Sequence, residues 1–128
     1  MAKNVLMIDD DQDLVESVAN LLEVKGYNVD SAPNGTEGVA KAKANKPDLI
    51  LLDVMMTTKD EGFNVARELK DVEGLEDTPV IMISGIRKEM NLPFGFEPDN
   101  TWLPVKQFLE KPLKPNELLE AVEKHIKK

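Results

Sequence analysis

Leu49-Ile50-Leu51-Leu52-Asp53 is an apolar run that stops on an acid, and its reading decides the fold. The same pattern occurs at Val5-Leu6-Met7-Ile8, which is followed by Asp9-Asp10. Strands buried on both faces of a parallel sheet read as such unbroken apolar runs. Two of them ending in carboxylates place three acids at one edge of a sheet, the edge where open α/β folds bind their ligands. An acid cluster there is a candidate phosphoryl or metal site.

Outward from this stretch, short apolar runs alternate with helical periodicity five times, the pattern of repeated βα units. Strands are expected near Asn4 to Ile8, Tyr27 to Asp30, Asp48 to Leu52, Val80 to Ile83 and Gln107 to Glu110. Leu14, Val18, Leu21 and Leu22 recur at helical spacing, with Asp11 or Gln12 opening that helix and Gly26 just past its end. A second helix spans Thr36 to Asn45 with Val39, Ala40 and Ala42 apolar, and it closes before Pro47. Phe63, Val65, Ala66 and Leu69 mark a third after Gly62; Leu118, Leu119, Val122 and Ile126 mark the last after Pro115. The right-handed crossover rule makes this a flavodoxin-like, doubly wound five-stranded parallel sheet in the order 2-1-3-4-5.

With 128 residues the chain fits one domain, 1–128, with no room for an output domain. At that size roughly two thirds of the unfolded surface can be buried. The absence of cysteine excludes disulfides and thiolate metal sites. The apolar runs fall far short of the roughly 20 residues a membrane-crossing helix needs. The N-terminus also lacks a signal pattern, so a cytoplasmic protein without membrane insertion is expected. The 24 acids against 16 bases give a net charge of -8, which repels a phosphate backbone and argues against direct nucleic-acid binding.

Residues 86 to 105 break the rhythm. Pro93, Gly95, Pro98 and Pro104 leave room for only one or two helical turns, near Arg87 to Asn91. An irregular segment therefore replaces most of the fourth crossover helix. It carries Phe94, Phe96 and Trp102, so it either covers the sheet where that helix would lie or acts as a loop switch.

The strand ends bring Asp9, Asp10, Asp53, Ser84 and Lys111 to one edge. In Ile8-Asp9-Asp10, Leu52-Asp53, Ser84-Gly85 and Lys111-Pro112 the chain resembles the receiver domain of bacterial two-component response regulators, over nearly its whole length and in the single-domain form. The resemblance implies that Asp53 is the phosphoacceptor. It makes Asp10 and Asp53 direct ligands of one Mg²⁺, with Asp9 acting through a metal-bound water and the Met55 backbone carbonyl completing the set. Lys111 would grip a phosphoryl oxygen, Ser84 would hydrogen-bond another, and Ser84 and Phe108 would form the switch pair. The phosphoryl donor would be a histidine kinase or phosphotransfer protein, and the signal would pass to a downstream protein target, or else the chain is a fragment of a larger regulator. The chain would promote only its own phosphorylation and dephosphorylation, and would not be an enzyme in the ordinary sense.

Elementary electrostatics supports these roles. Two carboxylates at 4 Å repel by roughly 4 kcal/mol at an effective dielectric of 20, and one lysine cannot neutralise three acids. An oxygen-only donor set suits Mg²⁺, and the absence of nearby histidine and cysteine disfavours zinc. Phosphoryl transfer asks mainly for positioning and charge stabilisation, with a carboxylate nucleophile forming an acyl phosphate. The Lys111-Pro112 bond is a candidate cis peptide.

Plainer readings exist for each residue. Aspartates ahead of a helix are commonly caps, and Asp11 is the purer cap of the three. His125 is expected to be a solvated residue near a helix C-terminus. The acidic stretch from Asp71 to Asp77 reads as a solvated connection.

The chain also departs from the family pattern. Thr57 and Glu61 stand where the family usually has proline and glycine, with Gly62 one place late, so the loop from Val54 to Gly62 is one residue longer. The Ser84 to Lys111 spacing is about five residues longer than usual for the family. A rival reading is a phosphate-independent interaction module of the same fold. A phosphatase acting on external substrates is a weaker rival, because the place two residues past Asp53, where such enzymes keep a general acid, holds Met55.

Overall fold

The computed structural model describes residues 3–53, 61–84, 107–110 and 113–126, with backbone only at 61–64, 84, 108 and 110. The chain runs β1 (Asn4–Ile8), α1 (Gln12–Val24), β2 (Asn28–Ala32), α2 (Gly35–Asn45), β3 (Leu49–Asp53), α3 (Glu61–Lys70), β4 (Val80–Ser84), β5 (Gln107–Glu110) and α4 (Pro115–His125). Its five parallel strands lie in the order β2-β1-β3-β4-β5, as the crossover rule requires.

Alternation along the central strands sorts the core onto the two faces of the sheet. Leu6, Ile8, Ile50, Leu52, Val80 and Met82 join Val39, Ala42, Val65, Ala66 and Leu69 of α2 and α3. Val5, Met7, Leu49, Leu51, Ile81 and Ile83 join Val15, Val18, Leu22, Leu118 and Val122 of α1 and α4. Each fully buried aliphatic side chain of this kind contributes about 1.5–3 kcal/mol. Because both faces are covered, the strands need apolar residues at every position, and that is why their runs are unbroken.

The helix ends carry the signals that stop them. Asp11 caps α1 by accepting from the Leu14 amide. Past its far end the Gly26 N–H donates to the Glu23 carbonyl and the Tyr27 N–H to the Leu22 carbonyl, with Gly26 at φ 97. This double bond pattern needs a left-handed residue, which glycine supplies without a Cβ penalty. Asn34 caps α2 through the Glu37 amide, and Lys46 ends that helix before Pro47.

Some expectations shift. β2 ends at Ala32, two residues beyond the expected Asp30, because Ala32 is buried and its carbonyl accepts from the Asp9 amide. Ala40 is exposed on α2, whose buried face is formed by Gly35, Gly38, Val39 and Ala42. The 71–77 connection is not simply solvated: Val72 and Leu75 are buried in the core under α3 while its acids face out. His125 is only half exposed, with its Nε2 2.9 Å from Gln107 Oε1 at the start of β5. That contact corrects the view of it as a solvated terminal residue. The 86–105 segment and its aromatics lie outside the described residues.

Candidate functional site

The acid cluster is assembled by strand register. Ile8 pairs with Leu52, so the residues that follow them, Asp9 and Asp53, come out at the same level of adjacent strands. Asp53 is the last residue of β3 and pairs with Ile83 of β4. Asp10 follows Asp9 in the short turn into α1. One carboxylate oxygen from each of Asp9, Asp10 and Asp53 lies within 4.8 Å of the others.

Two of the three acids are withdrawn from water. Asp9 is 0% exposed and Asp53 3%, whereas Asp10 is exposed. The cluster therefore combines one solvated carboxylate with two buried ones. Buried carboxylates are costly unless hydrogen-bonded or matched by positive charge. Asp9 is held on both sides: its amide donates to the Ala32 carbonyl at 3.0 Å, and its Oδ1 accepts from the Asp11 amide at 2.9 Å. Asp9 thus braces the entry into α1 and faces the cluster. The N-terminus of α1, with its positive dipole end, begins beside the same acids.

The donor set is hard oxygen alone, with no cysteine in the chain, and suits a small divalent cation. Three carboxylate oxygens within 4.8 Å of one another can share a cation that one or two of them bind directly, with water completing its shell. The residues present therefore fit the group that the sequence implied.

The structure unites Asp9, Asp10 and Asp53 as expected. Ser84 ends β4, one position past Ile83, the partner of Asp53, and pairs with Glu110, so its backbone stands at the same edge of the sheet. Phe108 lies in β5 opposite Met82. The side chains of Ser84 and Phe108, the whole of Met55 and Lys111, the Lys111-Pro112 bond and the 54–60 part of the lengthened loop lie outside the described residues. Reasoning from sequence missed the bracing of Asp9 by Ala32 and Asp11. The acid triplet at 9–11 was the only local signal, and it said nothing of β2.

Residues 5–123 match the model of the response regulator receiver domain. Among curated relatives, the chain is 33% identical over 118 residues to the alkaline phosphatase synthesis transcriptional regulatory protein PhoP of Bacillus subtilis, and 35% over 118 residues to the DNA-binding dual master transcriptional regulator RpaA of Synechocystis. These alignments cover 92% of the chain and 46% of each relative, so the chain spans about half the length of the relatives it matches. The chemotaxis response regulator CheY4 of Vibrio cholerae superposes with a TM-score of 0.82 at 25% identity, over 98% of this chain and 100% of that one. A CheY-like receiver domain protein from Methanospirillum hungatei gives 0.80 at 27% identity, over 97% and 93%. The register that brings Asp9 beside Asp53, the family match along 5–123 and these superpositions converge: the chain belongs to the response regulator receiver domain family.

Proposed function

We propose that this chain is a phosphoacceptor switch in two-component signalling, with Asp53 as the residue that takes the phosphoryl group. The observation that carries the reading is the meeting of Asp9, Asp10 and Asp53 at the ends of β1 and β3, with Asp53 buried. A carboxylate oxygen of Asp53 bonds to phosphorus as the bond from phosphorus to the donor's histidine nitrogen breaks, and the product is an acyl phosphate. Asp10, Asp53 and the Met55 carbonyl would hold a Mg²⁺ ion, and Asp9 would reach it through water; the ion would supply charge neutralisation for the acids and the phosphoryl oxygens.

Lys111 supplies a further positive charge to the phosphoryl group, and Ser84 a hydroxyl donor that draws it toward the phosphate. Phe108, on the neighbouring strand, follows that movement as the aromatic half of the switch. The donor is a histidine kinase or phosphotransfer protein, and the output passes through contact with a protein target. The chemistry is self-directed, ending in hydrolysis of the chain's own acyl phosphate. Among the described residues no helix is long and apolar enough to cross a membrane; the proposed location is the cytoplasm.

Incubation with a small phosphodonor and Mg²⁺, followed by intact mass measurement, tests the reading. A gain of about 80 Da that disappears in Asp53→Asn is expected of an acyl phosphate. No gain in the unaltered protein would leave the phosphate-independent binding module as the better reading. Lys111→Ala is expected to slow the gain while leaving the thermal unfolding midpoint nearly unchanged.

A further inference from the structure

The outer edge of β2 is one of the sheet's two edges, and the backbone shows how it is closed. The Asn28 N–H donates to Lys3 and the Ala32 carbonyl accepts from Asp9, so even-numbered residues of β2 turn their backbone groups toward β1. Odd-numbered residues turn theirs outward, where an added strand would bond. Four outward positions follow in sequence: Tyr27, Val29, Ser31 and Pro33. The Tyr27 N–H is taken by the Leu22 carbonyl at 3.1 Å, and Pro33 has no N–H. The Ser31 N–H is taken by Asp30 Oδ1 at 2.8 Å, and the Ser31 carbonyl by the Lys41 ammonium reaching across from α2. Lys41 also pairs with Asp30 Oδ1 at 3.2 Å, so one ion pair occupies both backbone groups of Ser31. Among the described residues, Val29 is left as the outward position with both groups open.

We propose that the Asp30–Lys41 pair is a guard that keeps β2 from pairing with β2 of a second copy of this chain. An edge strand offering one open residue cannot propagate a ladder. Removal of the pair opens Val29 and Ser31 together, two successive bonding positions, and two such edges meeting antiparallel are self-complementary about a twofold axis. The second copy is the favoured occupant because it carries the same open residues in the register that twofold pairing requires. As a surface ion pair with side chains 42% and 52% exposed, Lys41 and Asp30 add little to fold stability, so their use lies in the backbone groups they occupy.

The test is sedimentation velocity of the full chain over a concentration series, with neither Mg²⁺ nor phosphodonor present so that phosphorylation plays no part. Asp30→Ala with Lys41→Met is expected to associate at concentrations lower than the unaltered chain by about tenfold or more, the scale of one or two net hydrogen bonds. Adding Val29→Pro deletes an outward N–H without touching the β1 ladder, and is expected to return the double variant to the behaviour of the unaltered chain. If the double variant does not fold, Lys41→Met alone, which frees the Ser31 carbonyl, is expected to shift association in the same direction. Association unchanged from the unaltered chain, or increased association that Val29→Pro does not reverse, would overturn the proposal.

Discussion

Replacement of Asp53 by Asn tests the electrostatics of the site through folding stability. The three carboxylate oxygens lie within 4.8 Å of one another. Two unit charges at that distance repel by about 3.5 kcal/mol at an effective dielectric of 20, and by about 0.9 kcal/mol in water. Asp9 and Asp53 are both buried, so their pair stands nearer the first figure; Asp10 is exposed, and its pairs stand nearer the second. Asparagine keeps the volume and removes the charge. In metal-free buffer the variant should be more stable by about 1–3 kcal/mol, after hydrogen bonds that favour the charged form offset part of the relief. For a chain of this size that raises the unfolding midpoint by roughly 3–5 °C per kcal/mol. Mg²⁺ at 100 times its dissociation constant should stabilise the unaltered chain by about 2.7 kcal/mol, and the variant by much less. Thermal melts in chelator and in saturating Mg²⁺ read both effects. A variant that melts no higher than the unaltered chain in chelator, with an undiminished Mg²⁺ shift, would show that the acids do not repel one another or share a cation.

Three further outcomes follow from the packing. A Cβ at Gly38 would lie 2.5 Å from Ile8 Cδ1 and 2.7 Å from Cγ1, so Gly38→Ala should destabilise by about 1–3 kcal/mol in denaturant melts despite better helix propensity. Combining it with Ile8→Val should recover part of that loss, and strict additivity would refute the contact. Thr78 is 1% exposed and its Oγ1 has no hydrogen-bond partner among the described residues, so Thr78→Val should be neutral or stabilising by about 1 kcal/mol, and a clear loss would refute the orphan hydroxyl. Burial, and after it the Glu123 carboxylate, hold the hydroxyl of Tyr27 above its usual 10.0. The folded value is raised, so this contribution to stability is present below pH 10 and is lost as pH climbs through the folded value. Tyr27 is the only tyrosine, so phenolate absorbance should titrate above pH 10, and less far above it in Glu123→Gln; a midpoint at or below 10 would contradict this.

The order of strands and the acid cluster were legible because each rests on a local signal. Leu49 to Leu52 is apolar throughout because both faces of β3 are covered, and Asp53 follows at the strand's carboxyl end, where the acids of β1 come level with it. The crossover rule then leaves little freedom in strand order. What escaped depended on partners distant in sequence. Ala32 extends β2 because Asp9 donates to it; Val72 and Leu75 look like part of a charged connection until α3 packs above them. His125 resembles any surface residue among lysines, and its contact with Gln107 exists only once α4 lies against the sheet beside β5. Likewise, nothing local announces that Lys41 crosses to the Ser31 carbonyl: spacing in α2 predicts its face, and tertiary placement predicts its partner.

The most direct measurement is peptide-resolved mass spectrometry of the chain after phosphodonor treatment, with and without Mg²⁺, using borohydride to trap the acyl phosphate. The account predicts modification confined to Asp53 and dependent on Mg²⁺. Modification at Asp9 or Asp10 in its place, or equal labelling in chelator, would contradict it.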